Sequence, residues 1–322
     1  NSLAATSGQA RSSSTRLQKA GNYGWFGGGN SGIPSLSTVD RINFSNDLVT
    51  ASPRGLLTQA RGSLSATGNS NYGWWGGGFV TLTTIDRIDF SNDSTTASGR
   101  GSLIQGRSNS IATGNSNYGW WGGGTQNPGS ITTVKSIVER VDFSNDLTTA
   151  SPRGPLSLAR QNSAATGNSN YGWFIGGFNV PATPAYYSRV DRIDFSNDST
   201  TASIRNPLTT SPGRSDLAAT GNSNYGWFAG GSPGPLSRVD RLDFSNDSTS
   251  MLVKGILTQA RYSLAAAGNS NYGWWGGGDV PVATSVATVD RINFSNDSVS
   301  ASPRGSLITT RDSHGATSNS TR

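Results

Sequence analysis

The tract Tyr-Gly-Trp, extended by Trp or Phe and closing on glycines, occurs six times, beginning at Tyr23, Tyr72, Tyr118, Tyr171, Tyr225 and Tyr272, at spacings of 46 to 54 residues. A period near 50, built of strand-forming aromatics and glycine turns, describes one small sheet per repeat rather than a helical hairpin. Such a sheet cannot bury both faces alone, so neighbouring repeats must cover one another. A second tract follows each aromatic one and ends at Phe44, Phe90, Phe143, Phe195, Phe244 and Phe294.

Hydrophobic residues make up only 33% of the 322-residue chain, a content that would suggest disorder if they were scattered. They are placed periodically instead: all nine Trp fall in the aromatic-glycine tracts. The core is therefore encoded in the repeat, and residues 1–322 are expected to form a single closed ring, with repeat cores near 23–44, 72–90, 118–143, 171–195, 225–244 and 272–294. The net charge of +6 rests on Arg, with only Lys19, Lys135 and Lys254 as lysines. Most acidic residues recur at the same repeat positions as Arg, which reads as paired charge within the sheets, and no basic run suggests a nucleic-acid partner. There is no Cys and no run of about 20 apolar residues, so neither disulfides nor membrane insertion is expected. The chain starts at Asn1, which suggests a processed or truncated start.

The second repeat shows the expected strand plan. Residues 61–68 form a small-residue inner strand, and Asn69, Ser70 and Asn71 turn into the aromatic strand starting at Tyr72. A third strand spans 85–90 with strict alternation, and Ser91, Asn92 and Asp93 turn into a Thr-rich outer strand at 94–98. Small side chains suit the crowded axis, and aromatics suit the wider space between sheets, so Trp74 and Trp75 are read as packing residues. Four such strands make one blade. The expected fold is all-β: a six-bladed β-propeller of four-stranded antiparallel blades.

An Arg opening the inner strand, an aromatic strand ending in glycines, a third strand ending in Asp-x-x and an outer strand before the next Arg together resemble the kelch repeat. The resemblance covers nearly the whole chain, although Thr or Ser stands where that family carries a Trp near its outer strand. It implies a protein- or glycan-binding propeller. The wording of the repeats is also similar to repetitive proteins of marine phages and their hosts, implying a virion or surface role. The copper chemistry of kelch-like oxidases is excluded, because one His and no Cys cannot build such a site.

Inner-strand segments occur once too often, with degenerate copies at 11–21 and 311–318. One terminal copy is expected to complete the first or last blade; the other lies loose or pairs with a neighbouring chain. Catalysis is poorly supplied, since His314 is the only His and Glu139 the only Glu, so the chain is read as a non-enzyme. Calcium is the one cofactor considered. Asp89/Ser91/Asp93, Asp142/Ser144/Asp146, Asp194/Ser196/Asp198 and Asp243/Ser245/Asp247 place oxygens at alternate positions, as calcium loops do, while a plain Asx turn explains the same residues.

The turns within Gly-Asn-Ser-Asn and Phe-Ser-Asn-Asp scarcely vary, whereas the connections between second and third strands range from six residues (79–84) to thirteen (125–137), and antiparallel order puts these on the opposite rim. Recognition is expected on that variable rim. Phe178, Tyr186 and Tyr187, with Arg189 and Arg238, are the candidate contacts, an aromatic face beside an Arg suiting an acidic sugar. The expected function is a binding module, an adhesin or receptor-binding propeller for glycan or a cell-surface receptor, extracellular or on a virion fibre. The alternative is a self-associating structural subunit of a virion, fibre or extracellular assembly.

Overall fold

A computed structural model of the chain describes residues 22–320 apart from 33, 80–81, 127–132, 180–185, 209–212 and 283. Six antiparallel four-stranded sheets stand around one axis. In the second, Ser65–Gly68, Tyr72–Gly76, Ile85–Asp89 and Ser98–Gly99 run in chain order from axis to periphery. The first is assembled from both ends of the described chain: Tyr23–Gly27, Val39–Asn43 and Ser52–Arg54 accept the C-terminal Gly315–Ser318 as their inner strand. Each inner strand touches the inner strands of both neighbouring blades, so the ring is closed. The other degenerate copy, at 11–21, lies outside the described residues.

The two aromatics of the second strand point to opposite neighbours. Trp74 stacks on Phe143 of the following blade, while Trp75 reaches back to the Gly315 carbonyl of the preceding one. Every blade repeats the forward stack at ring separations of 3.7–4.0 Å. All nine Trp are fully buried, so they are the glue between blades.

The same contact carries an ion-pair relay. The Asp that ends each Phe-Ser-Asn-Asp turn accepts a 2.8 Å hydrogen bond from the Trp Nε1–H of the preceding blade. It also pairs at 2.9–3.1 Å with that blade's third-strand Arg. That Arg lies over the Tyr opening its own blade's aromatic strand, 4.3–4.5 Å from the ring centre. An outer-strand cation, Arg in five blades and Lys254 in the fifth, completes the site at 3.0–3.7 Å.

This relay corrects the position of the outer strand. Residues 94–96 remain in the turn because Asp93 is held by the first blade, and the Ala97 N–H donates to the Leu56 carbonyl of that blade rather than to its own sheet. The outer strand is therefore Ser98–Gly99, matched by Ser52–Arg54, Ser151–Arg153, Ser203–Arg205 and Ser302–Arg304, with a longer Leu252–Arg261 in the fifth blade.

The glycines after the aromatics have a comparable reason. Gly77 is left-handed at φ 74°, and a Cβ there would lie 2.6 Å from the Arg107 carbonyl of the next blade, to which Gly78 N–H donates.

Replacing Asp146 by Ala strands Trp74 Nε1, Arg87 and Arg100 together and is expected to cost about 3–5 kcal/mol in urea unfolding. Ending the chain at residue 310 removes the strand that closes blade one and is expected to lower Tm sharply; an unchanged Tm would contradict the closure described.

Candidate functional site

A buried Arg stands four residues before each inner strand, so the strand expected over 61–68 begins only at Ser65. Arg61 pairs with Asp86 of its own third strand at 3.1 Å, both side chains wholly buried, and the other blades repeat this as Arg107–Glu139, Arg160–Asp191, Arg214–Asp240, Arg261–Asp290 and Arg311–Asp40. Backbone carbonyls take further guanidinium hydrogens, as with Arg107 Nη1 and those of Gly123 and Ile137, while Nε of each of the six Arg is left without a partner. Arg311 holds Phe26, Gly28 and Thr38 in this way, binding the C-terminal segment to the first blade. Burial raises the Asp40 pKa, and Arg311 opposes that rise.

Two residues after each Arg, the chain meets the axis. Ser63, Asn109, Asn162, Asp216, Ser263 and Ser313 all adopt left-handed conformations, φ 50–56°. Each donates its N–H to the carbonyl of its counterpart in the preceding blade at 2.7–3.0 Å, closing a six-membered ring of backbone hydrogen bonds. Non-glycine residues adopt this conformation at a cost of about 1 kcal/mol or more, here offset by satisfied amides at the axis. The ring encircles a cup of about 80 Å³, whose lining includes Leu64, Ser110, Leu217, Leu264 and His314. A larger axial cavity of about 230 Å³ opens toward the opposite rim, between the inner strands and the turns containing Asn69, Asn115 and Asn168.

The two rims differ for a physical reason. On the uniform rim Asn69 Oδ1 accepts from the Asn71 and Tyr72 amides while its Nδ2 donates to Ser116 O of the next blade, so the turn is itself scaffold. On the other rim, the residue between the buried Arg and the axial residue bridges, main chain to main chain, to the residue after the glycines. These couples are Asp312 with Asn30, Ser108 with Thr125, Gln161 with Phe178, Ser215 with Ser232 and Tyr262 with Asp279; in the second blade Phe79 N–H donates to Gly62 O. The bridge recurs in five blades and in part in the second, and no two blades carry the same couple of side chains.

Of the sequence candidates, Phe178 and Tyr186 belong to this surface: both are half-buried, bridged to one another, with ring centres 6.1 Å apart. Tyr187 does not. It is 8% exposed, and its amide and carbonyl are taken by Gly177 and Arg214, because alternation turns it inward from Tyr186. Arg238 is committed to Asp240, the carboxylate it shares with Arg214. Arg189 donates to Ser157 Oγ at 3.2 Å. The two guanidiniums belong to different blades, each with a partner of its own, so the expected pairing of aromatic face with free Arg is not assembled.

The calcium triplets are drawn apart. Asp89, Asp142, Asp194 and Asp243 each accept from the amide and hydroxyl of Ser91, Ser144, Ser196 and Ser245, an Asx turn. The Ser196 hydroxyl bond is the main cause holding the Asp194 carboxyl below its usual range. Asp93, Asp146, Asp198 and Asp247 are instead the carboxylates of the inter-blade relay. Among the described residues no three His, Cys, Asp or Glu side chains gather as a metal site.

Three further rim residues were legible in the sequence by exception and were missed. Of the 19 acidic residues, all but Asp216, Asp279 and Asp312 hold repeat positions. Phe79, 52% exposed, and Tyr262 likewise stand outside the repeated tracts.

Six four-stranded blades around a channel define a six-bladed β-propeller, a fold that presents binding loops on a rigid ring. The solved structure titled "Structure of YjhT" is similar to it, with a TM-score of 0.69 at 11% identity over 87% of this chain and 97% of that one, a likeness of fold. The sequence matches no protein-family model and no curated protein.

His314 stands where other blades carry Leu or Ser and packs in the position of Leu64, with burial first, then Arg311 and Arg261, holding its pKa well below the usual value. A depressed histidine costs nothing above about pH 6.5, where it is neutral folded or unfolded; below that the unfolded chain alone gains the proton, by about 1.4 kcal/mol per pH unit. His314→Leu is therefore expected to raise Tm more at pH 5 than at pH 8, measured by thermal melts at both.

Proposed function

We propose that this chain is a non-enzymatic binding module, an adhesin or receptor-binding propeller of kelch-like type, that holds a glycan or another surface ligand at the channel mouth on its variable rim. One observation carries the reading: at that mouth no two blades carry the same couple of side chains, while the Arg, glycine and axial positions flanking them repeat or nearly repeat. The main-chain bridges that join the couples do not themselves dictate these side chains, although Asn30 and Asp312 add a side-chain hydrogen bond to theirs. Specificity on a rigid scaffold is installed in this way. Aromatic Phe79, Phe178, Tyr186 and Tyr262 offer flat apolar faces, and Gln161, Asn30 and the nearby carboxylates offer hydrogen-bonding groups, the combination that grips a sugar ring. Display outside the cell or on a virion fits this reading.

A second reading, as a structural subunit, is favoured by the fifth blade. Its outer strand, Leu252–Arg261, is ten residues long and exposes Leu252, Val253 and Ile256, an apolar strip that another chain could cover.

A glycan array probed with the purified chain, with chelator and with added calcium, tests the first reading. Binding is expected, with Phe178→Ala and Tyr186→Ala each weakening it about tenfold or more and Tyr187→Phe leaving it unchanged. Absence of binding from a large ordered assembly, seen by light scattering and dispersed by Val253→Lys, would decide for the second.

A further inference from the structure

The three carboxylates outside the repeat are not scattered. The axial ring runs Asp216, Ser263, Ser313 through consecutive blades, so Asp216, Tyr262 and Asp312 stand side by side at the mouth. Asp279 is bridged to Tyr262 through paired main-chain hydrogen bonds of 3.1 and 2.8 Å. Ser285 Oγ lies 3.0 Å from Asp279 Oδ1 and 2.8 Å from Asp312 Oδ2. One hydroxyl proton cannot serve two carboxylates, so the pair has room for one more donor. The remaining neighbours are neutral: Asn162 and Ser215 donate to Asp216, and Asn30 to Asp312. Among the described residues no cation pairs with any of the three, in a protein where twelve other carboxylates are held by Arg or Lys.

A second observation points the same way. Asp216 lines the 80 Å³ cup together with His314 and Ser110, both 6% exposed, and neither His314 ring nitrogen nor Ser110 Oγ has a hydrogen-bond partner. The Asp312 carbonyl lies near enough to favour a proton on the ring without reaching hydrogen-bond geometry to either nitrogen. Buried polar atoms without a partner beside a cup call for a donor or acceptor from outside the chain. Burial and mutual repulsion hold the Asp279 carboxyl above its usual range, and Tyr262 is raised by burial with Asp279, Asp216 and Asp312 contributing, so negative charge there is uncompensated.

We propose that Asp216, Asp279, Asp312 and the face of Tyr262 form a subsite for the protonated amine of an amino sugar. An ammonium brings donors and one positive charge to carboxylates that share a single hydroxyl proton and pair with no cation among the described residues. The half-buried Tyr262 ring supplies the flat face on which the sugar stacks. A divalent metal is the poorer occupant, because the three carboxylates do not gather as a metal site. The inference rests on the rim reading above and names the group recognised there.

The test is calorimetric titration of the full chain with a fully deacetylated β-1,4-linked glucosamine tetramer and with its fully N-acetylated counterpart. The deacetylated tetramer is expected to bind about tenfold or more tightly than the acetylated one, weakening in about 0.5 M salt. Asp216→Asn, Asp312→Asn and Tyr262→Ala should each abolish that preference, with unchanged melting curves required of the variants used; Asp279→Asn, on the more exposed strand, is the substitute if either Asp variant is unstable. Equal affinity for the two tetramers, or a preference untouched by the Asp substitutions, overturns the amine subsite and leaves the rim reading standing if Phe178→Ala still weakens glycan binding. Saturable calcium binding lost in Asp312→Asn, without amine binding, overturns it in favour of a metal. A chain that binds neither tetramer and no arrayed glycan overturns both.

Discussion

The Asp that closes each third-strand turn is the point on which the ring depends. Its carboxylate receives a Trp N–H and two cations from the preceding blade, while the Phe three residues earlier stacks on that same Trp. One short segment therefore joins hydrophobic and ionic contacts at the same seam. An indole cannot be fully buried at no cost, since its N–H must find an acceptor, and the Asp supplies one without opening the seam to water. The carboxylate in turn needs compensation, which the third-strand Arg provides while lying over the Tyr of its own blade. Each group in the chain of contacts satisfies the one before it, and because the last blade performs the same contact on Asp47 of the first, the relay has no loose end.

Closure follows from that periodicity. The first blade lacks an inner strand of its own among the described residues, and the C-terminal strand occupies the place by bringing the same Arg to the same Asp. Arg311 does this for Asp40 as Arg61 does for Asp86, so chain ends far apart in sequence are joined by a contact the repeat had already specified. His314 is the exception at this seam, a titratable group in a Leu position.

Committing one rim to this scaffolding frees the other. Where Asn side chains stitch adjacent turns together, substitution would remove hydrogen bonds between blades, and the turns repeat. Where main-chain couples tie two loops of one blade together, the bridge does not specify the side chains, and these diverge. The uncompensated carboxylates, the exposed aromatics and the open cup all lie on that side, which is why the binding surface is proposed there.

Much of this was written in the sequence. Six tracts of Tyr-Gly-Trp with glycines determined strand number, blade number and the placing of Trp between blades, because periodic apolar residues must be buried against periodic neighbours. The second inner-strand copy foretold closure by a terminus. Only tertiary structure decided what the acidic residues do. Asp89 and Asp93 are two residues from a shared Ser in sequence, yet one turns into its own loop and the other across the seam, a choice set by where the neighbouring blade's Trp and Arg stand. Tyr186 and Tyr187 are adjacent in the chain, but strand alternation exposes one and buries the other. Asp216, Asp279 and Asp312 are separated by dozens of residues and meet only because the ring brings blades five, six and one together at the axis. Repetition is local information and survives in one dimension; a site formed by departures from the repeat exists only where the closed ring collects them.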